Sequence, residues 1–256
     1  MNHRTITFDF PNNRGQILSG LLELPAEQAS LYGVYAPCFT CTKESHAAHK
    51  VCRALVRRGV AMLRFDHTGL GASAGDFATT SFSTRIEDIV AACNALETEY
   101  AAPKLLFGHS ISGTAALAAT ARISSLQAVA TLGAPADPRH VIRGLRKTND
   151  ISFEGEMAKM TITGRAYTVR KEMVHDMETY DMARAMAALD RQLFIFHAPH
   201  DAIVPFRNAE EIHARTACAR EIIPLSEDAT HLLERGDAEA AFIAETLSVW
   251  FGRHLK

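Results

Sequence analysis

One short stretch constrains the fold of this chain more than any other: KLLFGHSISGTAALAAT, from Lys104 to Thr120. Its apolar start stops at Gly108, Ser110 follows, and an alanine-rich helical run begins almost at once. The stretch predicts a buried strand, a helix and between them a sharp turn, the nucleophile elbow, that holds Ser110 on strained backbone. A serine there projects from the carboxyl edge of a parallel sheet, where a base can reach its hydroxyl. The alternative is an ordinary turn that leads into a buried helix.

Strands and helices alternate along the rest of the chain. Apolar runs that predict strands lie at residues 5–10, 16–24, 31–36, 60–65, 105–107, 126–132, 192–197 and 220–225. Helical patterns lie at residues 47–58, 83–100, 111–120 and 205–216 and from residue 237 onward. The alternation predicts a mostly parallel sheet of about eight strands with helices on both faces, and a hairpin at one edge formed by the first two runs. In the closing helix, the side chains expected to face inward are Phe242, Ile243, Leu247, Trp250 and Phe251.

A long insertion interrupts this alternation at about residues 137–190. Residues 151–174 alternate in polarity and contain turn-like glycines, which suggests a small β-meander, and residues 177–189 are helical in composition. We expect a cap above Ser110 that shapes a substrate pocket; the alternatives are an edge decoration and an oligomer contact. Its methionines would line an adaptable pocket or fill a small core. Residues 1–256 are otherwise expected to form a single domain.

The composition excludes several classes of function. A formal charge of −2 without a basic block offers nothing to a nucleic-acid backbone. The amino terminus lacks the apolar core of a signal peptide, and no apolar run approaches the roughly 18 residues of a membrane span. We therefore expect a cytoplasmic protein. The five cysteines do not suggest a disulfide framework and suit a reducing compartment.

A nucleophilic serine needs a base and an acid that orients the base, both in loops after later strands. Asp201 follows the strand predicted to end at residue 197, and His231 follows the last strand, so the chain order is Ser, Asp, His. Taken singly, Asp201 would also serve as a helix cap, and His231 as a solvated loop residue. Together with Ser110 they predict a catalytic triad. The oxyanion hole is expected to consist of the backbone N–H groups of Ile111 and Phe39.

Other residues with catalytic side chains are less well placed. Ser112 as the nucleophile would crowd the turn, and His109 fits better as a wall of the pocket. The remaining rivals lie in the acid and base loops themselves and are His197, His200, Glu227 and Asp228.

Two motifs suggest other chemistry. Residues 69–74 fit the G-x-G-x-x-A pattern of a dinucleotide site, but no helix opens directly after them. Cys38 and Cys41, followed by His46 and His49, have a spacing seen in metal and redox sites. The position of this segment in the predicted oxyanion loop explains it more simply, so neither a cofactor nor a metal is expected.

Several segments together resemble the α/β-hydrolase family, over nearly the whole chain. They read PCFTC, RFDHTGLGASAG, GHSISG, GAPADPRHV and DATHLL, and they are similar to the hydrolase domain that occurs alone or joined to an OsmC-type domain. The resemblance implies an α/β-hydrolase fold and a serine hydrolase with Ser110 as nucleophile, His231 as base and Asp201 as acid. Two positions depart from the family pattern: Ser112 replaces a small glycine, and Pro37 stands where a histidine is common.

The function expected is cleavage of a carboxylic ester with a small or medium acyl group through an acyl-enzyme. The same triad would also serve a thioesterase or an amidase, and the fold would also suit a non-catalytic binding module. The partner expected is a small-molecule ester. A homodimer and a functional link to an OsmC-type protein are further hypotheses.

Overall fold

The computed structural model describes residues 3–162 and 164–254. Its strands in chain order are β1 (Arg4–Thr7), β2 (Phe10–Pro11), β3 (Ile17–Leu18), β4 (Gly20–Leu24), β5 (Leu31–Ala36), β6 (Val60–Phe65), β7 (Leu105–His109), β8 (Ala128–Leu132), β9 (Ile151–Glu154), β10 (Met157–Ile162), β11 (Arg165–Arg170), β12 (Gln192–His197) and β13 (Arg220–Pro224). Eight of them form the central sheet, in the order β1-β4-β6-β5-β7-β8-β12-β13. The sheet is parallel from β6 through β13, and β4 and β1 extend it antiparallel at one edge. The predicted mostly parallel sheet is confirmed.

Helices cover both faces of this sheet. They are α1 (His46–Val56), α2 (Phe82–Glu99), α3 (Ile111–Ala119), α4 (Arg139–Lys147), α5 (Lys171–Thr179), α6 (Met182–Ala187), α7 (Arg207–Arg215) and α8 (Ala238–His254). Successive strand residues point to opposite faces, so Val34 packs in the core beneath α2 and α3, and Tyr35 packs in the core beneath α1 and α8. No helix in the described ranges combines the length and the apolar character that a bilayer crossing requires.

The amino-terminal hairpin differs from its prediction. Residues 5–10 and 16–24 form four short strands: β2 and β3 make a separate ribbon, and β1 pairs with β4 in the central sheet. The ribbon turns at Gly15, whose φ of 72° favours glycine. The strands break because Asp9 leaves the ladder and accepts a hydrogen bond from the Gly20 N–H through its side chain.

The closing helix buries most of the face that its spacing predicts. Ile243, Leu247 and Phe251 lie in the core, and Trp250 is half-buried. The inward prediction for Phe242 is wrong, because this side chain is 46% exposed. Residue 242 lies beside the stripe of buried residues that runs from Ala240 through Ile243 and Leu247, so the helix turns the Phe242 ring toward solvent.

Residues 139–187 contain three helices and a small sheet. Strands β9, β10 and β11 form an antiparallel meander that ends at Arg170, so the last residues of the predicted meander belong to α5. The helix predicted at 177–189 is broken between α5 and α6, where the Asp181 side chain caps α6 by accepting from the Arg184 N–H. Most methionines of this stretch lie in the core, which favours core filling: Met160, Met173, Met177, Met182 and Met186.

This stretch is attached to α2 and to the short 3-10 turn that precedes it. The backbone N–H and hydroxyl of Ser83 donate to the Asp176 carboxylate at 2.7 and 2.8 Å. The rings of Phe77 and Tyr167 lie 5.3 Å apart. The meander therefore packs beside the loop that leads out of β6.

Candidate active site

The turn between β7 and α3 has the strained geometry expected of a nucleophile elbow. Ser110 has a φ of 56°, in a backbone region that residues other than glycine rarely adopt. Its N–H donates to the Leu132 carbonyl at 2.8 Å, which ties the turn to β8. A Cβ at Gly113 would lie 2.7 Å from Ala134 Cβ, so this position requires glycine. Close packing of α3 against the sheet therefore enforces the turn.

The structure brings Ser110, His231 and Asp201 together in one hydrogen-bonded line. His231 Nε2 lies 3.0 Å from Ser110 Oγ, and His231 Nδ1 lies 2.6 Å from Asp201 Oδ2. Since a carboxylate can only accept, the Nδ1–H donates to Asp201, and Nε2 is left to accept from the serine hydroxyl. Ser110 is half-buried, and both of its partners are buried. This arrangement can deprotonate the serine hydroxyl.

Asp201 is held as a carboxylate by three hydrogen bonds. Its Oδ1 accepts the backbone N–H groups of Ile203 and Val204, each at 2.8 Å, and its Oδ2 accepts from His231. Burial by itself would raise the pKa of Asp201, but these hydrogen bonds and the neighbouring imidazole outweigh it and lower the pKa. The carboxylate is therefore ionised at neutral pH and fixes the orientation of the His231 ring.

The sequence does not predict the roles of two residues that support the hydrogen-bonded line of Ser110, His231 and Asp201. The His109 Nε2–H donates to the backbone carbonyl of His231 at 2.8 Å, so His109 holds the base rather than forming a wall of the pocket. Burial and the neighbouring His231 lower the pKa of His109 to about 3, which keeps it neutral. Gly133, after β8, lies under the pair: a Cβ there would be 3.0 Å from His231 Nδ1 and 3.1 Å from Asp201 Oδ2. The sequence signals for Gly133 are its place at the carboxyl end of a strand and at the start of the segment GAPADPRHV.

The structure places the rival side chains in other roles. Ser112 Oγ donates to the Pro37 carbonyl, away from the base. His197 Nε2 donates to the Val204 carbonyl at 2.7 Å, within the acid loop. His200 and Glu227 pair with each other at 2.7 Å on the surface. Asp228 lies 3.8 Å from Arg235 and is also exposed.

The two predicted oxyanion donors belong to buried residues. Phe39 lies in the loop after β5, and Ile111 is the first residue of α3. Neither backbone N–H has an acceptor within residues 3–162 and 164–254. Backbone N–H groups without an acceptor are rare in buried parts of proteins, so these two are free to bind an oxyanion.

The glycine-rich motif at residues 69–74 folds around a carboxylate of the chain itself. Asp66 Oδ2 accepts from the Ala72 N–H at 2.9 Å and from Lys43 Nζ at 2.6 Å. A Cβ at Gly71 would collide with the Asp66 side chain. These glycines therefore allow the loop to close on Asp66 and leave no cradle for a phosphate.

The cysteine motif contains a disulfide. Cys38 and Cys41 are joined, whereas Cys52, Cys93 and Cys218 are free thiols. The expectation of cysteines without disulfides is wrong for this pair, because the tight turn at residues 38–41 brings the two Cα atoms within 5.0 Å. A disulfide has no thiolate to offer a metal. His46 and His49 instead line a cavity of about 300 Å³ between α1 and the start of α8, which none of Ser110, Asp201 and His231 lines.

Comparisons with known proteins found one family and several solved structures that are similar to this chain. The family described as serine aminopeptidase, S33, matches residues 41–150. The solved esterase domain of a Rhodothermus marinus protein is 36% identical, with 99% of each chain covered and a TM-score of 0.77. Est1E from Butyrivibrio proteoclasticus, solved with ferulic acid, is 19% identical over 98% of this chain and 99% of that one, with a TM-score of 0.76. Dienelactone hydrolase from Anabaena variabilis is 17% identical over 100% of both chains, with a TM-score of 0.69. No curated protein matches.

Proposed function

Because the chain belongs to the α/β-hydrolase superfamily, we propose that it is a serine hydrolase that cleaves carboxylic esters of small or medium acyl groups. One observation carries the proposal: the hydrogen-bonded line from Ser110 through His231 to Asp201, at 3.0 and 2.6 Å. A structural serine does not need a base aligned with its hydroxyl, nor a base whose tautomer is fixed by a buried carboxylate.

In the first half of the reaction, Ser110 Oγ attacks the ester carbonyl carbon while its proton passes to His231 Nε2. Asp201 holds the ring and stabilises the imidazolium that forms. When the tetrahedral intermediate collapses, the bond between the carbonyl carbon and the alcohol oxygen breaks, and His231 returns the proton to that oxygen. The alcohol leaves, and the acyl group remains on Ser110.

In the second half, water replaces the alcohol. His231 Nε2 takes a proton from the water as its oxygen attacks the acyl carbon, and then returns the proton to Ser110 Oγ as the acid departs. The N–H groups of Phe39 and Ile111 bind the negative oxygen in both tetrahedral intermediates. Such donors are preorganised, and loss of one generally lowers kcat by about 10²–10³.

The proposed cap is the insertion at about residues 137–190, within a single domain that spans residues 1–256. The contact between Phe77 and Tyr167 supports this role, because Phe77 also packs on Phe39 of the oxyanion loop at 5.9 Å. An aromatic row therefore leads from the proposed oxyanion hole to β11. A cap at this place would set acyl preference through its packing.

Thioester or amide cleavage by the same triad stays an alternative, because the triad does not specify the leaving group. The cytoplasmic location, the homodimer and the functional link to an OsmC-type protein stay predictions from the sequence. A non-catalytic binding module would not need the hydrogen-bonded alignment of Ser110, His231 and Asp201.

A panel of p-nitrophenyl esters of increasing acyl length tests the proposal, with matched thioesters and anilides as alternative substrates. We expect ester turnover with a burst of one p-nitrophenol per active site, which reports the acyl-enzyme. Ser110→Ala should lower kcat by about 10⁶. Turnover that Ser110→Ala leaves unchanged would refute the proposal, and faster turnover of thioesters or anilides would reassign the substrate class.

A further inference from the structure

Arg85, in α2, is a buried cation whose hydrogen bonds all go to neutral groups. Its Nη2 donates to the Phe39 carbonyl at 2.7 Å, and its Nη1 donates to Ser112 Oγ at 2.9 Å and to the Cys38 carbonyl at 3.4 Å. Arg85 is 5% exposed, and none of the ion pairs found in the described part of the chain includes it. Burial lowers the pKa of Arg85 to about 10, although the nearby Asp88 carboxylate acts to raise it, so the guanidinium stays charged at neutral pH. A buried arginine without a direct carboxylate partner calls for an explanation.

Ser112 completes this contact from the other side. Its hydroxyl accepts from Arg85 and donates to the Pro37 carbonyl. Three consecutive carbonyls, those of Pro37, Cys38 and Phe39, are therefore held by one guanidinium and one hydroxyl. The guanidinium also lies over the Phe39 ring, 5.5 Å from its centroid. The loop after β5 is thus fixed at both its backbone and its aromatic side chain.

The directions of these carbonyls also fix the directions of the N–H groups in the same peptides. In a planar trans peptide, the C=O and the following N–H point in opposite directions. The Cys38 carbonyl accepts from the Cys41 N–H at 3.3 Å and from Arg85 Nη1 at 3.4 Å. The Phe39 N–H therefore points away from both donors. That N–H is one of the two donors that the proposed function assigns to the oxyanion.

We infer that Arg85 is a positioning residue that, together with Ser112, aims the Phe39 N–H at the oxyanion; this inference rests on the proposed function. Ser112, which departs from the glycine of the family pattern, supplies the hydroxyl that joins α3 to the oxyanion loop. The cation also polarises the Cys38–Phe39 peptide, which makes its N–H a stronger donor. Both effects act on charge that develops in the transition state, so they raise kcat and leave KM nearly unchanged.

The test compares Arg85→Met, Arg85→Lys and Ser112→Ala with the wild type on one p-nitrophenyl ester. Losing the aim of one oxyanion donor should lower kcat about 10²-fold in Arg85→Met, with KM within about twofold. Arg85→Lys keeps the charge but holds fewer carbonyls, so its kcat should lie between those of Arg85→Met and the wild type. Ser112→Ala leaves Arg85 in place and should lower kcat about tenfold, which tests the inference even if Arg85→Met folds poorly.

A second readout separates positioning from general loosening of the fold. A trifluoromethyl ketone forms a tetrahedral adduct with the serine, so its inhibition constant should rise in each variant by the factor by which kcat/KM falls. Arg122→Met is the matched control, because Arg122 pairs at the surface with Glu87 of α2, the helix that carries Arg85. It should keep the wild-type kcat and inhibition constant.

The outcomes distinguish the positioning role of Arg85 from the hydrolase activity itself. If Arg85→Met and Ser112→Ala both turn over like the wild type, or if kcat falls without a change in the inhibition constant, the positioning role is refuted and the hydrolase proposal stands. If the wild type shows no turnover that depends on Ser110, both are refuted.

Discussion

Gly133 lies directly beneath the contact between His231 and Asp201, and Gly133→Ala tests whether that contact limits the rate. The added Cβ would lie 3.0 Å from His231 Nδ1 and 3.1 Å from Asp201 Oδ2. These separations are about 0.5 Å shorter than the optimum for non-bonded heavy atoms, so one partner must move by about that much. A 1 Å misplacement in an active site lowers the rate about 10²-fold, so we expect kcat to fall about tenfold.

The variant also carries a backbone penalty that must be separated from this contact. Gly133 has a φ of 56°, and an alanine at such an angle destabilises the fold by about 1–2 kcal/mol. Gly155 has a φ of 55° with nothing within 4 Å of an added Cβ, so Gly155→Ala carries the same backbone penalty without the contact. Both variants should unfold at a lower temperature, by about 2–4 °C per kcal/mol.

Steady-state ester hydrolysis and thermal unfolding of the two variants give the comparison. Gly133→Ala should be about tenfold slower than Gly155→Ala at similar stability. Equal kcat values in the two variants would show that the His231 and Asp201 side chains tolerate the displacement, and the reasoning from the contact would be wrong.

Three further predictions follow from the site and its surroundings. Asp201→Asn should keep the fold but lower kcat about 10⁴-fold, because the amide favours the wrong tautomer of His231; a loss below tenfold in the ester assay would argue against the assignment of the acid. Burial lowers the pKa of His109 to about 3 and that of His67 to about 4. Below pH 6.5 the unfolded chain therefore binds more protons than the native chain. The free energy of unfolding should decrease as the pH falls toward 4. His109→Gln should make that decrease smaller in urea unfolding at pH 7 and 4.5, and an unchanged pH dependence would contradict the assignment. Alkylation of the unfolded chain without reductant should modify Cys52, Cys93 and Cys218 alone, and modification of Cys38 or Cys41 as well would contradict the disulfide.

The sequence predicts best where a single local pattern decides the structure. Strands β6 and β12 begin and end at the predicted residues, because strands buried on both faces have mostly apolar sequence. The serine, acid and histidine each follow a strand of the parallel sheet, and the carboxyl ends of parallel strands lie at one edge, so their meeting there is predictable.

What the sequence does not reveal depends on contacts between distant segments. Arg85 reads as an ordinary polar residue of a helix, and only the fold brings it to the loop after β5, across 46 positions of sequence. Gly133 and His109 support the site because the fold brings them into contact with His231. Phe242 shows the same limit in reverse, since a side chain beside a buried stripe is exposed or covered according to what packs against the helix.

The central claim is that Ser110 is a nucleophile activated by His231 and Asp201, and site mapping of a fluorophosphonate adduct tests it most directly. Peptide mass spectrometry of the labelled wild type should place one phosphonyl group on Ser110, labelling should be lost in Ser110→Ala, and it should be slower in Asp201→Asn. An unlabelled wild type, or a label on Ser112 or another residue, would contradict the claim.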